Sequence, residues 1–570
     1  MLADTCSVLI VGGGPCGLML ANELGRRGID AILVDEKPTT AFNPQANATQ
    51  ARTMEHFRRL GFADEIRALG MPPEFPTDIA YFTRYATHEL ARYRLPSSKE
   101  ARARVTGLSG SWSAAELPHR VSQKFVEQVL RQHAERLPGI SLNYGWRLLS
   151  FTEGDDCLHA VIERVEDGAT YRVQARFLVG ADGPRSRIRE QLGFYYEGSS
   201  GVIRDFMGGR MYAIYLRAPD FYEVVPHAVA WMNVAFNKDR RAFMTAVDGK
   251  GEFAFHTQLH AHEDPDRISD AEALAMFEAA VGAPVKAQIL SRGTWTAGHS
   301  LVANHFQSGR VFLGGDAVHL FTPTGGLGYN TAVEDAVNLG WKLAATISGY
   351  GGPGLLRSYE EERRPLAIRN TEYARKFADS LGLFEPAAHI EDEGIGGIEA
   401  RAAAGSYLEA HAKAEFNIPG VTFGGRYDAS PIIVSDGCKP PEDAANVYTP
   451  TACPGGRAPH IWLPDGRSLY DAFGFDWTLL RLGDDPQDCG LLIEAAEKAG
   501  VPLQVVDVPA ASAREIYQAP LALIRPDQIV AWRGHLVVEA KAALATATGH
   551  SIEQAGRDSE VPSVKRVGHA

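Results

Sequence analysis

Val11-Gly12-Gly13-Gly14-Pro15-Cys16-Gly17 is the stretch on which the reading of this chain turns. It follows an apolar run, Ser7 to Val11, and opens an amphipathic stretch with Leu18, Leu20, Ala21 and Leu24 on one face, so the spacing predicts a strand, a tight turn and a helix. In that context the glycines form a dinucleotide-binding fingerprint. Gly12 permits the turn, Gly14 lets backbone approach a pyrophosphate, and Gly17 lets helix and sheet pack closely. The helix N-terminus then offers free N–H groups and the positive end of its dipole to phosphate. A second apolar run, Ala31 to Val34, ends in Asp35-Glu36, where a carboxylate is expected to accept from a ribose hydroxyl. Gly349-Tyr350-Gly351-Gly352-Pro353-Gly354 satisfies the same pattern, but it ends a helical segment and no strand leads into it, so it reads as a C-cap and loop.

Two further glycine turns follow strand-like runs: Gly180-Ala181-Asp182-Gly183-Pro184 after Tyr171 to Gly180, and Gly314-Gly315-Asp316-Ala317 after Arg310 to Leu313. Each alone is a weak signal, whereas the ordered set of three describes one nucleotide site.

The chain has 570 residues, too many for one core, so two or three domains are expected. Its 45% hydrophobic and 22% charged content is that of a soluble globular protein. A formal net charge of −13, with the few basic clusters set among acids, argues against nucleic acid as a partner. The chain opens directly on its first strand, without a charged n-region, apolar h-region or cleavage site. No apolar run reaches membrane-spanning length, so a cytoplasmic protein with no membrane partner is expected. Six cysteines (Cys6, Cys16, Cys157, Cys438, Cys453, Cys489) lack C-x-x-C or metal-ligand spacing, which predicts reduced thiols and no metal site.

Ala48 to Leu69 reads as helical with Gly61 as an interruption, and Ser122 to Leu137 as helical again. Strand-like runs follow at Leu142 to Thr152, Cys157 to Val165 and Tyr171 to Gly180. Val202 to Leu290 is rich in β-formers and carries one helix, Ala271 to Val281, which predicts a sheet-based module inserted in the nucleotide domain. Asn330 to Ile347 is a strong helix, Ile390 to Cys453 reads as loop-rich, and Arg457 to Thr548 alternates strands and helices as a small α/β domain.

These residues resemble a known family. Beyond the three turns, the matching motifs are Pro44-Gln45-Ala46, Arg52-Thr53-Met54-Glu55, Ser122-Gln123, Pro323-Thr324-Gly325-Gly326-Leu327-Gly328-Tyr329-Asn330 and Glu334-Asp335-Ala336-Val337-Asn338-Leu339-Gly340-Trp341-Lys342-Leu343. In the tail they are Pro454-Gly455-Gly456-Arg457-Ala458-Pro459, Arg525-Pro526-Asp527 and Ala531-Trp532-Arg533-Gly534. The chain resembles, over nearly its whole length, the FAD-dependent aromatic hydroxylases of the para-hydroxybenzoate hydroxylase fold, within them the phenol hydroxylase type with 2-hydroxybiphenyl and 2,4-dichlorophenol monooxygenases.

The resemblance implies an α/β fold: a Rossmann-like FAD-binding domain (1–75, 105–195 and 290–390), an inserted sheet-based substrate domain (76–104 and 196–289), a loop-rich linker (391–456) and a thioredoxin-like domain (457–550). It implies that Gly12, Gly14, Pro15, Cys16 and Gly17 cradle the pyrophosphate of a non-covalent FAD and that Asp35 and Glu36 hold its AMP ribose. Gln123 is implied at the flavin side, Asp316 at the ribityl chain, and Asp182 with Gly183 between the FAD and NAD(P)H regions. Tyr329 and Asn330 are implied at the isoalloxazine pyrimidine edge, with Gln45, Arg52, Gly326 and Gly328 also at the cofactor. A helix starting near Asn330 would stabilise negative charge on the reduced flavin.

The implied cycle is reduction of FAD by NADPH or NADH, addition of O2 at flavin C4a, and transfer of OH from the hydroperoxide to a ring carbon ortho or para to a phenol. A homodimer is expected. Two departures stand out. Many relatives read Pro-Arg-Ala-His where this chain reads Pro44-Gln45-Ala46-Asn47. Gln45 supplies no charge for the NAD(P)H phosphates, and Asn47 can hydrogen-bond a phenol but cannot take its proton, because an amide does not titrate. Asn47 and Pro323 are the candidate catalytic positions, and Tyr215, His227, Trp231 and Trp295 join them as candidate substrate contacts. The tail has no C-x-x-C, which predicts a structural or subunit-contact role. Other flavoenzymes share the fold (epoxidase, Baeyer–Villiger enzyme, reductase), and a non-catalytic flavin sensor is a further alternative; a W-x-W-x-I-P halogenase segment is absent.

Overall fold

Strand Thr5–Val11, the glycine turn and helix Pro15–Gly25 form as the spacing predicts. In the computed structural model, which describes residues 3–200 and 208–550, that strand lies inside a largely parallel sheet. Ala31–Asp35 and Thr170–Gly180 flank it, Ile140–Tyr144 extends one side and Val311–Leu313 the other. Val11 stands opposite both Val34 and Gly180, and Gly180 opposite Leu313. Parallel strands share a direction, so this register brings the three glycine turns to one edge, outside the carboxyl ends of the strands where such sheets bind ligands. Trp146–Glu153 and Leu158–Arg164 add an antiparallel ribbon to the start of Thr170–Gly180. Val8, Leu9, Ile10, Leu18, Leu24, Val126, Leu130, Val333 and Leu343 are fully buried in one core, in which helix Pro15–Gly25 packs against helices Gln123–Glu135 and Leu327–Ile347.

The inserted module is a seven-stranded sheet in the order Gln288–Ala297, Gly209–Arg217, Glu252–Gln258, Arg241–Ala246, Met232–Phe236, Ile79–Phe82, Glu89–Tyr93. Its last strand, Gln288–Ala297, runs past the expected boundary at 289. Register sorts its two faces. Phe253 and Phe255 pack toward Phe221 and Phe277, the latter on helix Asp270–Val281. The opposite face carries Phe243 stacked on His256 at 4.6 Å, with Trp295 Nε1 donating to His256 Nδ1 at 3.1 Å. The chain leaves and rejoins the nucleotide domain through Tyr196–Ser199 and Ser300–Ala303, which pair with each other.

The C-terminal sheet has the order Leu503–Val508, Trp477–Leu482, Leu521–Ile524, Val530–Gly534, with the first pair parallel and the rest antiparallel. Helices Gly490–Lys498, Ala511–Tyr517 and Val537–Ala547 complete a β-α-β-α-β-β-α chain, the thioredoxin-like topology.

Three sequence expectations are corrected. The segment 391–456, read as loop-rich, holds the 22-residue helix Ile395–Phe416. Its buried positions Gly397, Ala404, Gly405, Leu408, His411, Ala412 and Glu415 keep helical spacing, but mostly in small residues that carry little apolar signal, while alanine itself favours helix. The long helix expected from Asn330 starts at Leu327, because Gly326 adopts φ 64° and caps it. Finally, Cys438 and Cys453 are joined by a disulfide rather than left as thiols. Val434 N–H donates to Ala531 O and Gly455 N–H to Val530 O, so both ends of the intervening segment are pinned to one strand and the cysteines are drawn together. Among the described residues no helix is long and apolar enough to cross a membrane.

Candidate active site

The first turn is built to leave room. Gly12 has φ 114° and donates to Val34 O at 2.8 Å, and a Cβ there would collide with Ala181 O. A Cβ on Gly17 would collide with Gly12 O, whereas one on Gly14 would meet nothing within 4 Å. Gly14 is the N-cap and has no side chain to occupy the first amides, and Pro15 takes the first helical position. This cradle, open above Gly14 and closed beneath Gly12 and Gly17, fits a pyrophosphate. Asp35 Oδ2 accepts from Gly13 N–H at 2.6 Å and its Oδ1 from Lys37 N–H at 2.8 Å, so it first of all fixes the turn; Glu36 is exposed. Cys16 is buried, and a Cβ on Gly314 would stand 3.1 Å from its sulfur, which sets the first turn against the third. Burial, then Asp335 and Asp316, push the Cys16 thiol well up, so it is a packed group and not a thiolate.

At the second turn, Gly183 has φ 81° and Asp182 Oδ2 accepts from Ile188 N–H at 3.4 Å. Its Oδ1 is buried with no partner, and burial raises the carboxyl above the ordinary range. At the third turn, Asp316 has an accessible side chain although protein surrounds it, as befits a group on the wall of a cleft. That enclosure raises its carboxyl, opposed by His319. Two carboxyls at one edge, Asp182 with its Oδ1 unpaired and Asp316 accessible, suit the hydroxyls and amides of a bound dinucleotide.

The third turn rests on residues that the sequence reading left without a role. Asp335 Oδ2 accepts from Gly315 N–H at 3.0 Å and lies 2.7 Å from His319 Nε2, while its Oδ1 takes Arg363 Nε–H at 2.7 Å. Burial raises this carboxyl, but Arg363 and His319 outweigh it and hold Asp335 below the usual carboxylate range. Asp335 stands inside a motif already quoted, yet only the fold shows that it faces Gly315.

Segment 44–53 lies against this edge. Gln123 N–H donates to Ala46 O at 2.7 Å, and Gln123 Nε2 donates to Glu127 Oε1 at 2.7 Å. Asn330 Oδ1 accepts from Gln50 N–H and Thr53 Oγ1, and its Nδ2 donates to Ala48 O and Gly326 O. Its side chain is thereby committed to clamping this segment to the helix, leaving only its backbone for a cofactor. The amides that follow Gly326 form the positive dipole end of this helix. A Cβ on Gly326 would press on Ala48 Cβ at 3.0 Å and one on Gly328 on Phe321 at 3.3 Å. Tyr329 is half-buried with its phenol raised by burial, and Gln45 is exposed. Asn47 is half-buried, and its Oδ1 is sealed with no hydrogen-bond partner. Pro323 is exposed, two residues before Gly325.

Three expected site residues are engaged by protein partners. Arg52 is buried and donates to Glu55 Oε2 at 2.9 Å, Gln528 Oε1 at 2.7 Å and Asp527 O at 2.6 Å, so its side chain is committed to the seam with the C-terminal domain. The contact spans 475 residues, beyond any local pattern. Tyr215 gives its hydroxyl proton to Glu252 and accepts from Lys124 Nζ at 2.6 Å, which leaves no donor for a phenol. His227 lies 2.7 Å from Thr87 O, with its ring 5.3 Å from Phe82, which points to the face opposite Trp295. Trp295 lies on the other face, hydrogen-bonded to His256, and Trp231 is buried with Nε1 unpartnered.

Three glycine turns on one sheet edge, each with room or a free acceptor for a nucleotide, define a dinucleotide-binding flavoprotein. Residues 5–374 match the FAD binding domain family and residues 451–555 the aromatic-ring hydroxylase C-terminal family. The chain belongs to the FAD-dependent aromatic-ring hydroxylases. It is 32% identical, over 96% of its length and 91% of the relative, to FAD-dependent monooxygenase apdD of Emericella nidulans. It is 28% identical to phenol 2-monooxygenase of Pseudomonas sp. strain EST1001, over 93% of this chain and 90% of that protein. The rebeccamycin biosynthetic enzyme RebC with reduced flavin superposes with a TM-score of 0.85 at 33% identity, over 96% of this chain and 100% of that one. The flavin-dependent monooxygenase PieE in complex with FAD and substrate gives 0.84 at 28%, over 96% and 99%.

Proposed function

We propose that this FAD-dependent aromatic monooxygenase hydroxylates a phenolic ring held between the flavin edge and the Trp295–His256–Phe243 face of the inserted sheet, with NADPH or NADH as transient reductant. The observation that carries the reading is Asn47 Oδ1, a buried acceptor without a partner on the segment that adjoins both Gln123 and the Gly326 helix cap. A phenol O–H is the donor it lacks. FAD bound at the three turns supplies the redox chemistry, taking two electrons from NAD(P)H and activating O2 for transfer of one oxygen atom to the ring. The protein's part is to hold the ring, exclude water and place donors: Asn47 orients the hydroxyl, Asp316 and the Gly14 cradle hold the cofactor, and Pro323 bounds the ring. A phenol panel tests this. Substrate-stimulated NAD(P)H oxidation with one labelled oxygen from ¹⁸O2 in a hydroxylated product is expected; epoxide, ester or unlabelled products, or no stimulation by any phenol, would overturn it. The assembly proposed is a homodimer, supported by exposed Leu383, Ile395 and Ile398 close together in sequence, and light scattering on the holoenzyme tests it.

A further inference from the structure

Arg120 is a buried cation with nothing to hold. Only 7% of the residue is exposed, and its guanidinium makes no hydrogen bond or ion pair among the described residues, yet none of its nitrogens is sealed, so they border open space. It lies 4.5 Å over the Trp231 ring and 6.0 Å from that of Phe416. Glu415 is the nearest compensating charge, but its Oε1 accepts from Gly325 N–H at 2.9 Å and its Oε2 lies 2.9 Å from His411 Nε2. Burial lowers the Arg120 guanidinium to about 10, against Glu415, so it stays charged at neutral pH.

Its position ties it to the substrate side. Thr49 and His119 exchange backbone hydrogen bonds, and Gln123 N–H reaches Ala46 O, so Arg120 runs antiparallel to the segment that carries Asn47. Ala48 packs into the same apolar cluster as Trp231 and Trp295. A guanidinium only donates, so what Arg120 lacks is an acceptor and, because Glu415 is already engaged by Gly325 N–H and lies against His411, an anionic one.

We infer that Arg120, with Trp231, forms an anion subsite, so that the aromatic substrate carries a negatively charged oxygen, carboxylate or phenolate, in addition to the hydroxyl presented to Asn47. The inference rests on the proposed hydroxylase reading and makes Arg120 a specificity-determining residue.

The test uses FAD-loaded enzyme and the change in the flavin visible spectrum on binding, which needs no turnover. Salicylate against methyl salicylate, and 3-hydroxybenzoate against its methyl ester, probe the negative charge with the ring hydroxyl kept. The anionic member of at least one pair should bind about tenfold or more tightly than its neutral partner, the size of a charge-assisted hydrogen bond. Arg120→Gln should abolish that preference, and Arg120→Lys should keep part of it. Equal binding within both pairs by the wild type, or a preference that survives Arg120→Gln, would overturn the inference, and the wild-type comparison decides even if the variants do not fold. Hydroxylation of neutral phenols without anion preference would sink this subsite alone, whereas no product from any phenol would sink the function itself.

Discussion

The seam between the FAD-binding and C-terminal domains and the cleft at the glycine turns are both polar and buried, but they are finished differently. At the seam Glu55 is held by Arg52 at 2.9 Å and Arg457 at 2.5 Å, and Glu362 by Arg525 at 2.6 Å and Lys342 at 2.7 Å, all nearly or wholly buried. At the cleft, Asp182 Oδ1, Asn47 Oδ1 and Trp231 Nε1 have no partner. Burying a charge costs several kcal/mol that only close pairing offsets, so the paired carboxylates of the seam mark construction even though the neutral His56 Nδ1, His460 Nδ1 and Asn338 Oδ1 there also lack partners, whereas an unpaired acceptor beside the glycine turns is placed to meet a ligand. Arg52 shows the force of the distinction. Its neighbours in sequence suggest a cofactor contact; its partners make it part of the seam.

The largest expected effect is acid sensitivity of the seam. His56 and His460 are buried there, and burial holds His56 well below 6.5 and His460 at about 3. Both folded values lie below the unfolded one, so the unfolded state takes up protons first. The stability is present above pH 6.5 and is lost as pH falls toward the folded values, by about 1.4 kcal/mol per pH unit for each group. Two such groups predict a loss of about 4 kcal/mol between pH 7 and pH 5. Urea unfolding at pH 7, 6 and 5 checks it; a flat profile would show that the seam admits protons without opening.

Glu362→Ala comes next. It strands Lys342, leaves Arg525 and Asn338 with Asp527 alone, and removes the acceptor of Ser430. A cost of about 3–5 kcal/mol is expected, as for other buried pairs broken on one side. Denaturant unfolding measures this, and a change under about 1 kcal/mol would mean that water replaces the carboxylate. The same network makes the tail integral: deletion from about 390 would uncover Arg52, Glu55 and Lys342.

At the cleft the opposite behaviour is expected. Asp316→Ala should leave unfolding of the apoprotein within about 0.5 kcal/mol, since no protein partner is lost. It should weaken FAD binding by about 10- to 100-fold, the worth of a hydrogen bond to a charged group. Fluorescence titration of apoprotein with FAD reads the second effect; unchanged affinity would remove Asp316 from the site.

The same contrast explains what the sequence made legible. The three turns were readable because each depends on glycine geometry over a few residues, and a parallel register was enough to assemble them. Helix Ile395–Phe416 was missed because its buried side is written largely in alanine and glycine, and the Cys438–Cys453 bond because strand Val530–Gly534 draws the loop ends together. Substrate contacts were hardest. Tyr215 and Trp295 lie on one sheet face, but Tyr215 is consumed by Lys124 and Glu252 while Trp295 is turned toward His256. Only side-chain partners separate those two, and no pattern in a single strand encodes them.

The smallest expected effect is at Asn47, an amide that can accept from a phenol but cannot take its proton. If no side chain deprotonates the phenol, hydroxylation leans on the substrate's own ionisation, so acidic phenols should turn over better at neutral pH than phenol itself. Asn47→His would place a titrating group at the position where many relatives carry one. The hydroxylation step should then acquire an imidazole-like dependence near 6.5 before environmental shifts, and coupling of NAD(P)H use to product should rise a few-fold for weakly acidic phenols. Flavin reduction should change less, because that step requires no phenolate. Rapid-reaction kinetics of the oxidative half-reaction across pH separate these cases. A wild-type profile that already follows an enzyme group near neutrality, indifferent to substrate acidity, would show that the cleft holds a base elsewhere and would leave Asn47 as a hydrogen-bonding contact alone.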